Sequence, residues 1–433
     1  MKKKLENRKN NKSIIVSTLI FVITFIAMAG YLIYFNLTQA ESIINNSYNK
    51  RQGVLSRRTI RGSILSDDKT KLAVTNVDDD GNETRYYPYS GLFSHTIGYL
   101  NNGGYGLESL YGYYMLHSNQ NFFEQIGNDL SGNRNTGDNV VTTLNVGLQK
   151  ACYDALGSNR GAVIVMEPST GKILAMVSKP DFDPNTLAAN WSQITGEGSD
   201  SVLVNRATQG LYPPGSTFKL ITMLEYLREH KNDYGQYHYI CDGTYELGNN
   251  TINCVRTTAH GDVDLFSSLA VSCNCSFINI GLSLDLDRYK KTAEKMLFNK
   301  ELPTNLEYNK SRFVLNGESS EWDIAQTSFG QGKTVITPFH LALITCTIAN
   351  NGTLMEPYLV SSVESTNGMT VKKFKEEKYD TLITEKEASL LKKGMEQVVK
   401  DSFSWLFGGV EYTLAAKSGS AQYGTEGYEH SLY

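Results

Sequence analysis

Between Ser13 and Leu37 the chain carries no charged residue, and this run constrains everything around it. Its twenty-odd mostly apolar residues match the roughly 30 Å hydrocarbon core of a bilayer, so a membrane-crossing helix is expected over 13–37. Six cations precede the run (Lys2, Lys3, Lys4, Arg8, Lys9 and Lys12), whereas only Lys50 and Arg51 follow within about fifteen residues. That imbalance places the tail 1–12 in the cytoplasm and the rest of the chain outside the membrane, with Tyr31, Tyr34 and Phe35 near the outer interface. The alternative is a cleaved signal peptide, because Ala27-Met28-Ala29 resembles a cleavage site. A signal's apolar region is only about 7–15 residues long, however, and this run continues through Tyr31-Leu32-Ile33-Tyr34-Phe35. The anchor is the preferred reading.

The 433 residues leave room for two or three domains with a substantial core. Hydrophobic residues at 40% and charged residues at 20% exclude a disordered chain, and a net charge of −4 offers no footprint for nucleic acid. Residues 38–140 are polar, rich in Tyr and Asn, and irregular. Short strand-like runs such as Thr59–Leu65 alternate there with turn clusters such as Asp78-Asp79-Asp80-Gly81-Asn82. A small membrane-proximal module without chemistry of its own is expected over that stretch.

The pattern changes near residue 140, where the second exported unit, 141–433, is expected to begin. A helix over Leu144–Leu156 is followed by the apolar run Gly161–Met166, the turn Glu167-Pro168-Ser169-Thr170-Gly171 and a second strand, Lys172–Ser178. Both arms of this β-hairpin are largely apolar, which predicts burial on both faces. Mostly helical sequence follows to about residue 350, and another helix is expected over 386–400. Helices on an antiparallel sheet make this an α+β domain.

Within it, Tyr212-Pro213-Pro214-Gly215-Ser216-Thr217-Phe218-Lys219 sets a serine and a lysine three residues apart behind two prolines and a glycine. Leu220, Ile221, Leu224 and Leu227 then recur at helical spacing, which puts Ser216 in a first turn and brings the Lys219 amine towards its hydroxyl. A serine needs a base to become a nucleophile, and a neutral lysine can serve. The spacing alone is weak: Ser47–Lys50 and Ser66–Lys69 also fit S-x-x-K, without the proline-glycine lead-in. Two further segments add weight. Ser272-Cys273-Asn274, 56 residues beyond Ser216, supplies a hydroxyl and an amide after the helical run Leu265–Val271. Lys417-Ser418-Gly419-Ser420, closing a strand of small residues (Leu414-Ala415-Ala416), supplies a cation, two hydroxyls and a glycine that lets backbone approach.

The six cysteines give few signals. Cys241 and Cys254 flank a strand-and-turn stretch and are the one plausible disulfide, with free thiols throughout the alternative. Cys273 and Cys275 are spaced wrongly for a zinc ribbon, and Cys152 and Cys346 read as small core residues. No metal or cofactor is expected.

Taken in order, S-x-x-K, S-x-N and K-[ST]-G form a set found in penicillin-binding proteins and serine β-lactamases. The chain resembles a class B penicillin-binding protein, a D,D-transpeptidase of peptidoglycan. Arg61-Gly62-Ser63-Ile64 and Gly106-Leu107-Glu108 resemble the signatures of that family's pedestal domain, and the hairpin Gly161–Ser178 resembles the first two strands of its catalytic sheet. Ala259-His260-Gly261, Gly330-Gln331-Gly332 and Thr337-Pro338 resemble segments that frame its site, with His260 read as structural. The resemblance implies Ser216 as nucleophile, Lys219 as base and Ser272 as proton relay. It implies that Asn274 holds the substrate amide and that Lys417, Ser418 and Ser420 hold the terminal carboxylate, with Gly419 giving access. It further implies stem peptides and β-lactams as ligands and a separate membrane glycosyltransferase as partner. Rival readings are a D,D-carboxypeptidase or β-lactamase of the same fold, and a non-enzymatic membrane scaffold or β-lactam sensor. Only 14 residues follow Gly419, where the family has two more strands and a helix. The chain is therefore expected to be an incomplete transpeptidase domain, with the Lys417 strand unpartnered and folding or activity impaired.

Overall fold

The computed structural model describes residues 2–38, 56, 58–196, 198–423 and 428–432. Ser47–Lys50 and Arg51 lie outside them. The first helix, Lys2–Thr38, contains the apolar stretch Ile14–Phe35, none of which is buried against the rest of the protein. Twenty-two residues at 1.5 Å each make about 33 Å, enough to cross a bilayer.

Beyond it, a six-stranded sheet runs in the order Thr370–Lys373, Val360–Glu364, Asn139–Thr142, Ile64–Leu65, Lys71–Val77 and Glu83–Tyr86. Its first two strands come from far downstream: Val360–Glu364 pairs antiparallel with Asn139–Thr142, Val363 opposite Val140. The membrane-proximal sheet is therefore completed by the second half of the chain. Its two signature segments meet in the interior. Arg61 and Arg85 each place Nε against one carboxylate oxygen of Glu108, at 2.8 and 2.7 Å, and the carboxylate is fully buried. Burial alone would push the Glu108 carboxyl up, but Arg85 and Arg61 outweigh it and hold the group below its ordinary range. Beside Arg61, Gly62 packs so closely on Asp138 that a Cβ would fall 2.0 Å from its carbonyl oxygen.

The second half of the chain is built around the helix Lys219–Glu229, buried on every side from Lys219 to Leu227. An apolar helix of this kind belongs at the centre of a domain. Phe218 anchors it among Phe298 (edge-on, 5.5 Å between ring centres) and Phe313 (stacked, 6.0 Å). The expected hairpin forms between Gly161–Met166 and Ile173–Lys179, with Gly161 opposite Lys179. Its second arm is largely buried, but its first arm is only half-buried along its length, against the expectation of two covered faces. The reason lies beside it: a cleft of about 880 Å³ opens along Gly161–Met166, walled opposite by Glu429–Leu432 and floored by the helix Pro338–Ala349.

The strand that follows Lys417 was expected to lack a partner, and it has one. Gly419–Tyr423 pairs antiparallel with Tyr428–Leu432, Gly419 opposite Leu432. The motif also opens that strand instead of closing one. The partner reaches back only to Gly419, and the Ala416 N–H goes to the Met395 carbonyl, 3.1 Å away.

Candidate active site

Pro213 and Pro214 lack backbone N–H groups and cannot continue a regular ladder. Gly215 then turns the chain with φ +54°, a left-handed conformation that favours glycine. Its N–H donates to the Gly330 carbonyl at 2.8 Å, and a Cβ on Gly330 (φ +88°) would fall 1.8 Å from the Gly215 oxygen. Ser216 sits in the 3₁₀ turn Gly215–Phe218, and the α-helix proper begins at Lys219. The serine is therefore one tight turn ahead of the helix, not within it. Thr217 secures the turn, its hydroxyl donating to the Pro214 carbonyl at 2.6 Å.

Lys219 is completely buried. Its amine donates to the Ser272 carbonyl at 2.7 Å and to the Asn274 side-chain oxygen at 2.8 Å, with the Ser272 hydroxyl at 3.3 Å. Spacing along the helix led to Ser216 as its neighbour, yet these three contacts all go to the S-x-N segment. Burial first, and then the nearby charge of Lys417, hold the Lys219 amine well below the usual lysine range.

Ser272 links two short helices, Leu265–Ala270 and Asn274–Ser283, in a left-handed conformation of φ +55°. Strain of this kind is found at sites where backbone carries function. Asn274 is tied at its other end, its amide donating to the Asn253 carbonyl at 3.0 Å. Lys417 is only 5% exposed, and its amine reaches the Ser272 hydroxyl at 3.0 Å and the Ser418 carbonyl at 2.8 Å. Burial brings its pKa down to about 8. Gly419 is buried beneath the Ser216 turn, where a Cβ would lie 2.9 Å from the Pro214 oxygen, and the Ser420 backbone passes against Gly215. Ser418 is half-buried and Ser420 exposed. All three motif segments thus converge, with Ser272 in the middle. Gly215 and Gly330 join them as positioning residues; Gly330-Gln331-Gly332 was visible in the sequence, but not what it touches. The lysine of the other described S-x-x-K match, Lys69, pairs with Glu364 at 2.7 Å.

Residues 161–432 match the sequence model of the penicillin binding protein transpeptidase domain, and residues 61–140 that of the penicillin binding protein A dimerisation domain. The chain belongs to the class B penicillin-binding proteins. This penicillin-binding protein is 30% identical over 370 residues to the peptidoglycan D,D-transpeptidase PbpA of Mycolicibacterium smegmatis, a match covering 80% of the chain and 72% of the relative. It is 32% identical over 327 residues to PbpA of Mycobacterium tuberculosis, covering 70% and 65%. The chain thus spans about two thirds of the length of these relatives. The structure of penicillin-binding protein A from M. tuberculosis as an imipenem acyl-enzyme complex superposes with a TM-score of 0.76 at 27% identity, covering 85% of this chain and 88% of that one. A membrane-anchored penicillin-binding protein with an α+β transpeptidase fold accounts for the helix Lys2–Thr38 and for both matched regions.

Proposed function

We propose that this chain cross-links peptidoglycan stem peptides through an acyl-serine intermediate on Ser216 and is acylated there by β-lactams. The observation that carries the reading is the hydrogen bonding of the buried Lys219 amine. A neutral amine has two N–H bonds and one lone pair; the N–H bonds are taken by the Ser272 carbonyl and the Asn274 oxygen. Its lone pair is left for a hydroxyl proton, and burial beside Lys417 favours that neutral form.

Ser216 Oγ attacks the carbonyl between two D-alanines as its proton passes to Lys219. The Ser272 hydroxyl, within reach of both lysine amines, carries the proton on to the departing amine. Lys417 with the Ser418 and Ser420 hydroxyls holds the terminal carboxylate, Asn274 holds the stem amide, and Gly419 admits the substrate backbone. The backbone N–H groups of Ser216 and Ser420 receive the developing oxyanion, where one donor is worth about 3 kcal/mol. Acyl transfer to an amine of a neighbouring stem completes the cross-link. The close passage of the Ser420 backbone over Gly215 supports this pairing of donors.

The same reading puts 1–12 in the cytoplasm, 13–37 in the membrane, a pedestal at 38–140 and the transpeptidase unit at 141–433 outside. The basic cluster ahead of the apolar run supports that orientation. The partner implied by the resemblance is a separate membrane glycosyltransferase that supplies uncross-linked glycan strands. Incubation of the detergent-solubilised chain with a stem pentapeptide and an acceptor amine tests the chemistry: cross-linked product is expected, and simple hydrolysis to the tetrapeptide alone would make the protein a carboxypeptidase.

A further inference from the structure

The helix Lys219–Glu229 is buried from Lys219 to Leu227, yet one stripe of it is polar. Lys219, Thr222, Glu225 and Arg228 recur at intervals of three, which puts them along one flank. Lys219, Thr222 and Glu225 are all but inaccessible. A buried hydroxyl or carboxylate costs stability unless it is bonded, so each needs a partner. The partners come mostly from the helix Leu286–Lys295. Tyr289 sets its hydroxyl 2.6 Å from that of Thr222. One turn on, the Thr292 hydroxyl donates to the Glu225 carboxylate at 2.5 Å and accepts from Arg228 at 2.6 Å. Arg228 in turn pairs with Glu387 at 2.7 Å.

Thr222 makes one contact outside this seam. Its hydroxyl donates to the Ser328 carbonyl at 2.8 Å. A carbonyl can only accept, so the single Thr222 proton goes there and the Tyr289 hydroxyl donates to Thr222. A mid-helix threonine commonly turns its hydroxyl back to the carbonyl four residues earlier. Here that carbonyl, of Phe218, is 3.5 Å away and loses the proton to Ser328. Ser328 closes the helix Glu321–Ser328 and is itself fully buried. Two residues further along lies Gly330, whose carbonyl receives the Gly215 N–H at 2.8 Å, immediately ahead of Ser216.

On the reading of Ser216 as nucleophile and Lys219 as base, we propose that Thr222 is a positioning residue for acyl transfer. Its hydroxyl locks the helix that carries Lys219 to the Ser328–Gly330 segment beneath Ser216. The turn joining Ser216 to Lys219 changes from 3₁₀ to α at Phe218–Lys219, so the covalent link alone does not fix its pitch. Fixing both ends does. Lys219 moves with Thr222, one turn along the helix, while Ser216 moves with Gly215 and Gly330. Apolar residues of the same shape would pack this seam about as stably. What the hydroxyls add is a single register between the elements they join.

Stopped-flow acylation of the detergent-solubilised full chain by a chromogenic β-lactam, run to saturation, separates initial binding from the acylation step. Thr222→Val keeps the shape and deletes the hydroxyl. Its acylation rate constant should fall on the order of tenfold with initial binding unchanged, the effect of reacting atoms displaced by a fraction of an ångström. Thr222→Ser restores the hydroxyl and should return the rate to within about twofold of wild type. Tyr289→Phe is the control for stability alone: it lowers the midpoint of thermal unfolding but leaves the Thr222–Ser328 bond, and should acylate within about twofold of wild type. Thr222→Val leaves the Ser328 carbonyl and the Tyr289 hydroxyl unpaired and can fail to fold. Combining it with Tyr289→Phe removes one of those orphans, and a similar loss of rate is expected there. A near-wild-type rate in either form, or losses across all the variants that only follow their unfolding midpoints, would overturn the proposal. Mass spectrometry of the wild-type adduct keeps the two assignments apart. No penicilloyl group on Ser216 would sink the nucleophile and Thr222 together, whereas a Ser216 adduct formed at an unchanged rate in Thr222→Val would sink the role of Thr222 alone.

Discussion

The Lys417 amine lies 3.0 Å from the Ser272 hydroxyl, although 145 residues separate them in the chain. Lys219 reaches the same oxygen at 3.3 Å, so two lysines share one serine. Lys417, with a pKa of about 8, is charged at neutral pH, and that charge helps hold Lys219 below its usual range. A base works only when neutral, so acylation should fall as pH drops through the depressed Lys219 value. Lys417→Ala removes the opposing charge and lets Lys219 keep its proton to higher pH. The acid limb of the acylation profile should then move to higher pH. The rate at neutral pH should fall roughly ten- to a hundred-fold with the lost carboxylate contact. Stopped-flow acylation by a chromogenic β-lactam across pH measures both, and an unmoved limb would contradict the coupling.

Gly330→Ala tests the backbone contact beneath the nucleophile. Its Cβ would fall 1.8 Å from the Gly215 oxygen, so the 3₁₀ turn carrying Ser216 must move. Displacement by about 1 Å can cost on the order of a hundred-fold in rate. Labelled-penicillin acylation should drop by that order while thermal unfolding remains cooperative; an unchanged rate would show that the turn yields freely.

Ser272→Gly and Ser272→Ala delete the same hydroxyl but differ in backbone. Both should slow acylation alike. At φ +55° glycine is unstrained, whereas alanine is not, so the glycine variant should be the more stable by about 1 kcal/mol. Denaturant melts of the two variants decide it, and equal midpoints would mean that the turn relaxes in solution.

Glu108→Gln should destabilise the protein by about 3–5 kcal/mol, because Arg61 and Arg85 are left facing a neutral group in the interior. The Glu108 carboxyl is held below its ordinary value of 4.5 in the folded state. Its contribution is thus complete above that value and is lost as pH falls through the lower, folded one. The stability gap between wild type and variant should be constant near neutrality and close on acidification. A gap that stays constant into strong acid would remove the carboxylate from the account.

The nucleophile region could be read from local order because prolines, glycine and helical apolar spacing all act within one stretch of chain. Convergence of Ser272 and Lys417 on Lys219 was readable only through the resemblance, since no local rule joins residues so far apart. Other features depend on tertiary neighbours. No expectation was drawn for Val360–Glu364, and only its pairing with Asn139–Thr142 makes it part of the membrane-proximal sheet. The half-buried first arm of the hairpin reflects the cleft beside Gly161–Met166, which its apolar sequence could not announce. His260 was read as structural because Lys219 already supplies a base; its place 3.5 Å from Cys241 depends on how two separate strands return to one helix end.

In the proposed mechanism Ser216 takes the acyl group and Lys219 takes its proton. Intact-protein and peptide mass spectrometry after exposure to penicillin tests it most directly. A single penicilloyl adduct on the peptide containing Ser216 is predicted, absent in Ser216→Ala and formed at least about a hundred-fold more slowly in Lys219→Ala. An adduct on another serine, or one that persists in Ser216→Ala, would contradict it.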